Sequence, residues 1–208
     1  MSWPQLRSGV YFILPEGLDQ VELVRLTEAA LAGGVGMIQY REKDKSTRQM
    51  ILEVTDLLML TSPISVPLIV NDRVDVCLAA EADGVHVGQE DMPVQVARRL
   101  LGAQAIVGAT TPSPQLAQQA RADGASYAAI GPVFASPTKP EKPQVGVDAV
   151  RQVAAVTSLP VCAIGGIDAQ NIAQLPAAGA SLFAVVSAIS AAQDPAEATA
   201  ELAHLTQA

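Results

Sequence analysis

Short apolar runs alternate along this chain with longer stretches in which apolar residues recur every three or four positions. The short runs fall at residues 10–14 (VYFIL), 37–40 (MIQY), 68–70 (LIV), 82–87, 105–109, 127–130 (YAAI), 160–164 and 182–186. Each has the length and composition of a strand. The third is bounded by Pro67 and by Asn71-Asp72, and the fourth stops at Gly88-Gln89-Glu90-Asp91. Between them the pattern predicts helices. The first covers 19–31, with Leu23, Leu26, Ala30 and Leu31 at helical spacing and Gly33-Gly34 after it. Ser46 caps a second that runs to about residue 60, and others follow at 73–81, 93–101, 113–122, 148–156 and 168–175. Ser187 opens the last helical region, and a long loop, GPVFASPTKPEKPQVGVD, follows the sixth strand.

The order is β then α, repeated eight times, with no compositional break or low-complexity linker. Helix-sized crossovers make consecutive strands parallel neighbours. Eight such units in one domain spanning residues 1–208 predict an α/β fold, a single (β/α)8 TIM barrel at the short end of its range. A doubly wound open sheet is the alternative. It usually carries a glycine fingerprint after the first strand, whereas Leu14 is followed here by Pro15-Glu16-Gly17.

Composition narrows the function. Half of the 208 residues are hydrophobic, enough for a sizeable core. The net charge of −8 disfavours nucleic acid and anionic membranes as partners. Cys77 and Cys162 lie in apolar runs and read as buried free thiols in a reducing cytosol. No run reaches the length of a membrane span, and the N-terminal residues lack signal-peptide character, so a cytoplasmic location is expected. Homo-oligomerisation stays open.

In a barrel the chemistry lies where strands end and βα loops begin. Those positions hold Gln39, Arg41 and Lys43; Asn71 and Asp72; Asp91; Thr110; Ser136, Thr138 and Lys139; Gly165 and Gly166; Val186 and Ser187. Asp72 and Asp91 follow adjacent parallel strands and so fall on one rim, where two carboxylates repel unless a cation or proton sits between them. An all-oxygen pair of this kind suits Mg2+. Arg41, Lys43 and Lys139 suit a diphosphate, and the hydroxyls and glycine amides of the seventh and eighth strand ends suit a phosphate monoester. Plainer roles compete. Asp72, Asp91 and Ser187 could be helix N-caps, Arg41-Glu42-Lys43 a solvated charge run, and Gly165-Gly166 a tight turn. His86 reads as a satisfied core histidine, His204 as exposed, and Tyr40 and Tyr127 as packing residues. The plain readings weaken together, because all these residues fall on one rim.

The segments QYREK (39–43), IVNDRVDV (69–76), ADGVHVGQEDMP (82–93), YAAIGPVFASPTK (127–139), PVCAIGGI (160–167) and AVVSAI (184–189) occur in this order on successive strand ends. With them the chain resembles the thiamine-phosphate synthase family over nearly its whole length. The resemblance implies a barrel transferase that joins a pyrimidine diphosphate to a thiazole phosphate, or its carboxylated form, releasing diphosphate. By position it implies that Gln39, Tyr40, Arg41, Glu42, Lys43, Asn71, Thr110 and Lys139 hold the aminopyrimidine diphosphate. Ser136, Pro137, Thr138, Gly166, Val186 and Ser187 would hold the thiazole phosphate, and Asp72 and Asp91 would bind Mg2+. Arg41, Lys43 and Lys139 would act in catalysis. Thr110 stands where the family commonly has serine and Ser136 where it has threonine; both keep a hydroxyl. Thiazole tautomerase relatives use a histidine shortly after the position of Thr110, where this chain has Thr111-Pro112 and retains both carboxylates. A phosphate-binding barrel without catalysis would need fewer cations. The proline-rich loop 134–145 is expected to close over the substrates.

Overall fold

The structure, a computed structural model, describes residues 6–135 and 143–207. Eight parallel strands close into a barrel in sequence order: β1 (Gly9–Ile13), β2 (Met37–Tyr40), β3 (Leu68–Asn71), β4 (Gly84–Val87), β5 (Ile106–Thr110), β6 (Tyr127–Ile130), β7 (Val161–Ile164) and β8 (Ala180–Val185). β8 returns to β1 with Phe183 opposite Val10, which removes the sheet edges. The helices are α1 (Gln20–Ala32), α2 (Thr47–Thr61), α3 (Val74–Ala80), α4 (Val94–Leu101), α5 (Pro114–Ala122), α6 (Gly146–Ala154), α7 (Ser187–Ser190) and α8 (Pro195–Leu205). Closure excludes the alternative of an open sheet. Among the described residues, no helix is long and apolar enough to cross a membrane.

Alternation along the strands builds two apolar layers. One parity faces outward: Phe12, Ile38, Tyr40, Val70, Val85, Ala128 and Phe183 pack with Leu23, Leu26, Met50 and Leu57 of the helices. The other fills the barrel: Tyr11, Ile13, Met37, Ile69, Ile106, Tyr127, Ala129, Cys162, Leu182 and Ala184. On β4 that inward parity is held by Gly84 and His86. Gly108 on β5 has no side chain for a packing reason, since a Cβ there would lie 2.1 Å from Cζ of Tyr127.

Local signals set half of the eight helix starts. Asp19, Ser46, Ser113 and Asp194 each accept a backbone N–H of the first turn, as N-caps do. One expected helix does not form. Residues 168–175 contain only a short 3-10 turn at Ile172–Gln174, followed by another at Pro176–Ala178. Asn171 Oδ1 accepts from the Asp168 amide, Asp168 Oδ1 from the Gln170 amide, and Asn171 Nδ2 donates to the Gly166 carbonyl. These local bonds compete with helical pairing, and Pro176 bars continuation.

Candidate active site

β3 and β4 run side by side, with Asn71 opposite His86, so their C-terminal ends carry Asp72 and Asp91 to the same part of the rim. The Asp72 amide donates to the His86 carbonyl at 2.8 Å, which ties this residue to the end of β4. Its backbone is left-handed, φ 60°, a conformation that asparagine and aspartate tolerate better than most residues. The Asp91 carboxylate accepts from the Gly88 amide at 2.7 Å, folding the β4 loop back on itself. Burial, then hydrogen bonding with and repulsion from the neighbouring Asp91, push Asp72 up to about 6, against the pull of Lys43 and a hydrogen bond from Asn71. Neither residue caps a helix: the positions before α3 and α4 are Arg73 and Pro93, without a side-chain cap. Among the described residues there is no group of three or more His, Cys, Asp or Glu side chains suited to a metal. The donor set is therefore two carboxylates, which fits a hard cation completed by water or phosphate oxygens.

The loop after β2 carries the cations, and a buried carboxylate holds it in shape. Glu42 accepts from the amides of Lys43 at 2.7 Å, Asp44 at 3.0 Å and Gly17 at 3.1 Å, tying the β2 loop to the β1 loop. Burial pushes the Glu42 carboxyl up, but those amides and the Lys45 charge outweigh it and hold the group below the ordinary range. Lys45 also bridges to Glu53 at 2.9 Å and donates to the Leu18 carbonyl. Arg41 pairs with Glu16 of the β1 loop at 2.6 Å. Lys43 is exposed, and its charge reaches Asp72.

Two residues of the expected pyrimidine set are placed elsewhere. Tyr40 has the outward parity of β2; its phenol is buried in the layer beneath α2 and donates to Glu53 at 2.6 Å. The Glu42 carboxylate is occupied by loop amides. Both side chains brace the loop that carries Arg41 and Lys43. Gln39 has the inward parity, as does Thr110 at the end of β5, whose carbonyl accepts from Gln89 Nε2 at 2.5 Å.

At β7 and β8 the structure gathers Gly165, Gly166, Val186 and Ser187. Both glycines have positive φ, 99° and 64°. A Cβ on Gly166 would meet the Ala135 carbonyl oxygen at 2.2 Å, and one on Gly165 would meet Pro132. Glycine is needed here first for the close approach of the β6 loop, whose Phe134 amide donates to the Gly165 carbonyl. Ser187 is exposed at the start of the four-residue α7, with Val186 before it and no side-chain cap. Ser136, Pro137, Thr138 and Lys139 lie outside the described residues, as does most of the loop expected to close.

The sequence reading missed a polar ladder inside the barrel. Gln39 Nε2 donates to the Tyr11 hydroxyl at 2.5 Å, and the Tyr11 and Tyr127 hydroxyls are 3.0 Å apart. His86 Nδ1 lies 3.0 Å from the Tyr127 hydroxyl, and its Nε2 lies 3.0 Å from Thr110 Oγ1. The available signal was parity: Tyr11, Gln39, Asn71, His86, Thr110 and Tyr127 all share the inward phase of their strands.

The chain as a whole is similar to known proteins. A family model described as thiamine monophosphate synthase matches residues 10–189. The thiamine-phosphate synthase of Chloroflexus aurantiacus is 48% identical over 198 residues, covering 94% of this chain and 91% of its own length. That of Natronomonas pharaonis is 42% identical over 206 residues, covering 96% and 95%. The solved thiamine phosphate pyrophosphorylase from Pyrococcus furiosus superposes with a TM-score of 0.86 at 35% identity, over 97% of this chain and 96% of that one. A 3-hexulose-6-phosphate synthase structure, 18% identical with a TM-score of 0.72, shares the fold alone. The chain belongs to the thiamine-phosphate synthase family and is an enzyme of the transferase class.

Proposed function

We propose that this enzyme condenses an aminopyrimidine methylene diphosphate with a thiazole phosphate, giving thiamine phosphate and diphosphate in thiamine biosynthesis. The observation that carries the reading is the placement of Asp72 and Asp91 on one part of the strand-end rim by the β3–β4 register, where each carboxyl acts on the other within reach of the Lys43 charge. The C–O bond between the pyrimidine methylene and the diphosphate breaks, and the electron-rich aminopyrimidine stabilises the methylene cation. The thiazole nitrogen then forms the new C–N bond. No side-chain nucleophile is required; the protein's part is charge stabilisation and placement of the two rings. Arg41, Lys43 and Lys139 serve the departing diphosphate, with Gln39, Asn71 and Thr110 around the pyrimidine. Gly166, Val186 and Ser187, with Ser136 to Thr138, serve the thiazole phosphate. Mg2+ held by Asp72 and Asp91 would supply further positive charge to the leaving group.

The direct test mixes both phosphorylated substrates with the protein and Mg2+ and looks for thiamine phosphate, which should appear only when both are present. Asp72→Asn and Asp91→Asn should each cut the rate at least about a hundredfold, as loss of a transition-state charge partner does, while the folded state survives. Full activity in chelator-treated protein would refute the metal assignment.

A further inference from the structure

We propose that Tyr11, Tyr127 and His86 form a proton-ordered hydrogen-bond ladder that makes Gln39 and Thr110 one recognition unit. In that unit Gln39 offers its carbonyl oxygen and Thr110 offers its hydroxyl proton to the pyrimidine diphosphate. The inference rests on the reaction proposed above for its ligand, and on the barrel interior for its mechanism.

The order of the protons follows by elimination. Tyr11 and Tyr127 each carry one hydroxyl proton, and burial holds both phenols well above the ordinary tyrosine value, so both stay protonated at neutral pH. The Tyr11 oxygen accepts from Gln39 Nε2, so its own proton goes to the Tyr127 oxygen. Tyr127 then gives its proton to His86 Nδ1. This puts the imidazole proton on Nε2, which donates to Thr110 Oγ1. Thr110 has accepted a bond, and its own proton is left for an acceptor such as a phosphate oxygen. At the other end, Gln39 has committed its amide nitrogen to Tyr11, and its carbonyl oxygen accepts no bond among the described residues. That oxygen suits a donor such as an exocyclic amino group.

The reverse order exists only if every member inverts together. Gln39 must turn its carbonyl to Tyr11, both hydroxyls must swing, the imidazole must move its proton to Nδ1, and Thr110 must donate inward. A partial inversion sets two protons against each other or leaves a buried hydroxyl without a partner, which is costly. Packing limits such slack. The His86 and Tyr127 rings are stacked, with centroids 5.6 Å apart and planes at 21°, and Tyr11 meets Tyr127 edge-on at 5.9 Å. The ladder therefore resists a ligand that would force Gln39 to flip. A pyrimidine with an oxo group in place of the amino group is such a ligand, because it brings an acceptor to an acceptor. Tyr11, Tyr127 and His86 are positioning residues in this arrangement.

Two measurements decide it. The chain has two histidines, His86 and His204, so in a His204→Gln protein the imidazole 15N signals report His86 alone. The expected tautomer carries its proton on Nε2; a proton on Nδ1 overturns the ladder's direction. Titration calorimetry on the Mg2+-supplemented protein then compares the aminopyrimidine diphosphate with its oxo analogue. The wild type should bind the amino compound about tenfold tighter or more, the scale of one mismatched buried hydrogen bond. In Tyr127→Phe, Tyr11 regains a partner only by taking the Gln39 carbonyl, so the ratio should collapse or invert. In Tyr11→Phe, Gln39 is released and the ratio should approach one. Thiazole phosphate affinity should stay at the wild-type value in both. A wild-type ratio in both variants, each folded by circular dichroism, overturns the proposal, and so does equal weakening of all three ligands. Absence of thiamine phosphate from the wild-type enzyme would instead sink the reaction, while the tautomer would still judge the ladder.

Discussion

Asp72 concentrates two opposing demands in one side chain. Its carboxyl is pushed up to about 6 because burial and Asp91 both disfavour its charge, so the proposed ion-binding arrangement works against the stability of the metal-free fold. An ordinary aspartate titrates near 4 when unfolded. The raised folded value means that stability is fully present below about pH 4 and is lost as pH rises through about 6. Asp72→Asn removes that loss and keeps a residue type suited to φ 60°. In chelator, the variant should therefore match the wild type in Tm near pH 4 and exceed it at pH 8. A tenfold change in proton affinity is worth about 1.4 kcal/mol, and water screens a carboxyl at this half-open rim. The gap at pH 8 should then be on the order of 1–2 kcal/mol. Scanning calorimetry across this range checks it; a gap that widens toward acid would contradict the assignment of the repulsion to Asp72.

At the scale of elements, the β2–α2 connection behaves as a built platform for Arg41 and Lys43. Three amides converge on Glu42, Lys45 ties the loop to α2 through Glu53, and Glu16 steadies Arg41 from the neighbouring loop. The cations are thus positioned by groups that need not touch a ligand. Glu42→Ala releases all three amides and should cost about 1–3 kcal/mol of stability, the scale of hydrogen-bond partners lost in a partly buried loop. Its larger effect should be on catalysis: kcat should fall while thiazole phosphate affinity holds, because the β7 and β8 ends do not depend on this loop. Steady-state kinetics with each substrate varied in turn separate the two. An undiminished kcat would mean that Arg41 and Lys43 find their positions without the platform.

At the scale of the whole molecule, the described residues form a closed barrel with an inner and an outer apolar layer, and the two cysteines sample both. Cys162 lies inside the barrel and Cys77 lies in α3, packed in the outer layer. Burial pushes Cys77 up to about 12, with the Asp83 charge adding to it, and raises Cys162 further. Neither is a competent thiolate at neutral pH. Both should resist a maleimide or a disulfide reagent under native conditions. During a denaturant titration they should become reactive together, along with the loss of far-UV ellipticity, because closure through β1 and β8 couples the layers. Exposure of Cys77 well before Cys162 would show that the helices peel from an intact barrel.

Periodicity and punctuation alone determined the eight strands, the parallel barrel, most of the helices between the strands and the cap at Ser46. These depend on residues a few positions apart. The rim residues were also legible, because the C-terminal end of a strand is a sequence position before it is a place. Local reading failed at residues 168–175, where Asp168 and Asn171 bond their own backbone, and it did not foresee that the Tyr40 and Glu42 side chains engage Glu53 and the loop amides. Only the tertiary structure decided which distant side chains meet. The contact of Asp72 with Asp91, the pairing of Arg41 with Glu16, and the ladder from Gln39 through Tyr11, Tyr127 and His86 to Thr110 all join different strands or loops. Their existence rests on strand register and on closure of the sheet, which bring residues from β1, β2, β4, β5 and β6 into one interior. The physical reason is that a strand's own sequence fixes which residues share a face, whereas the partners facing them are fixed by how the strands are staggered around the barrel.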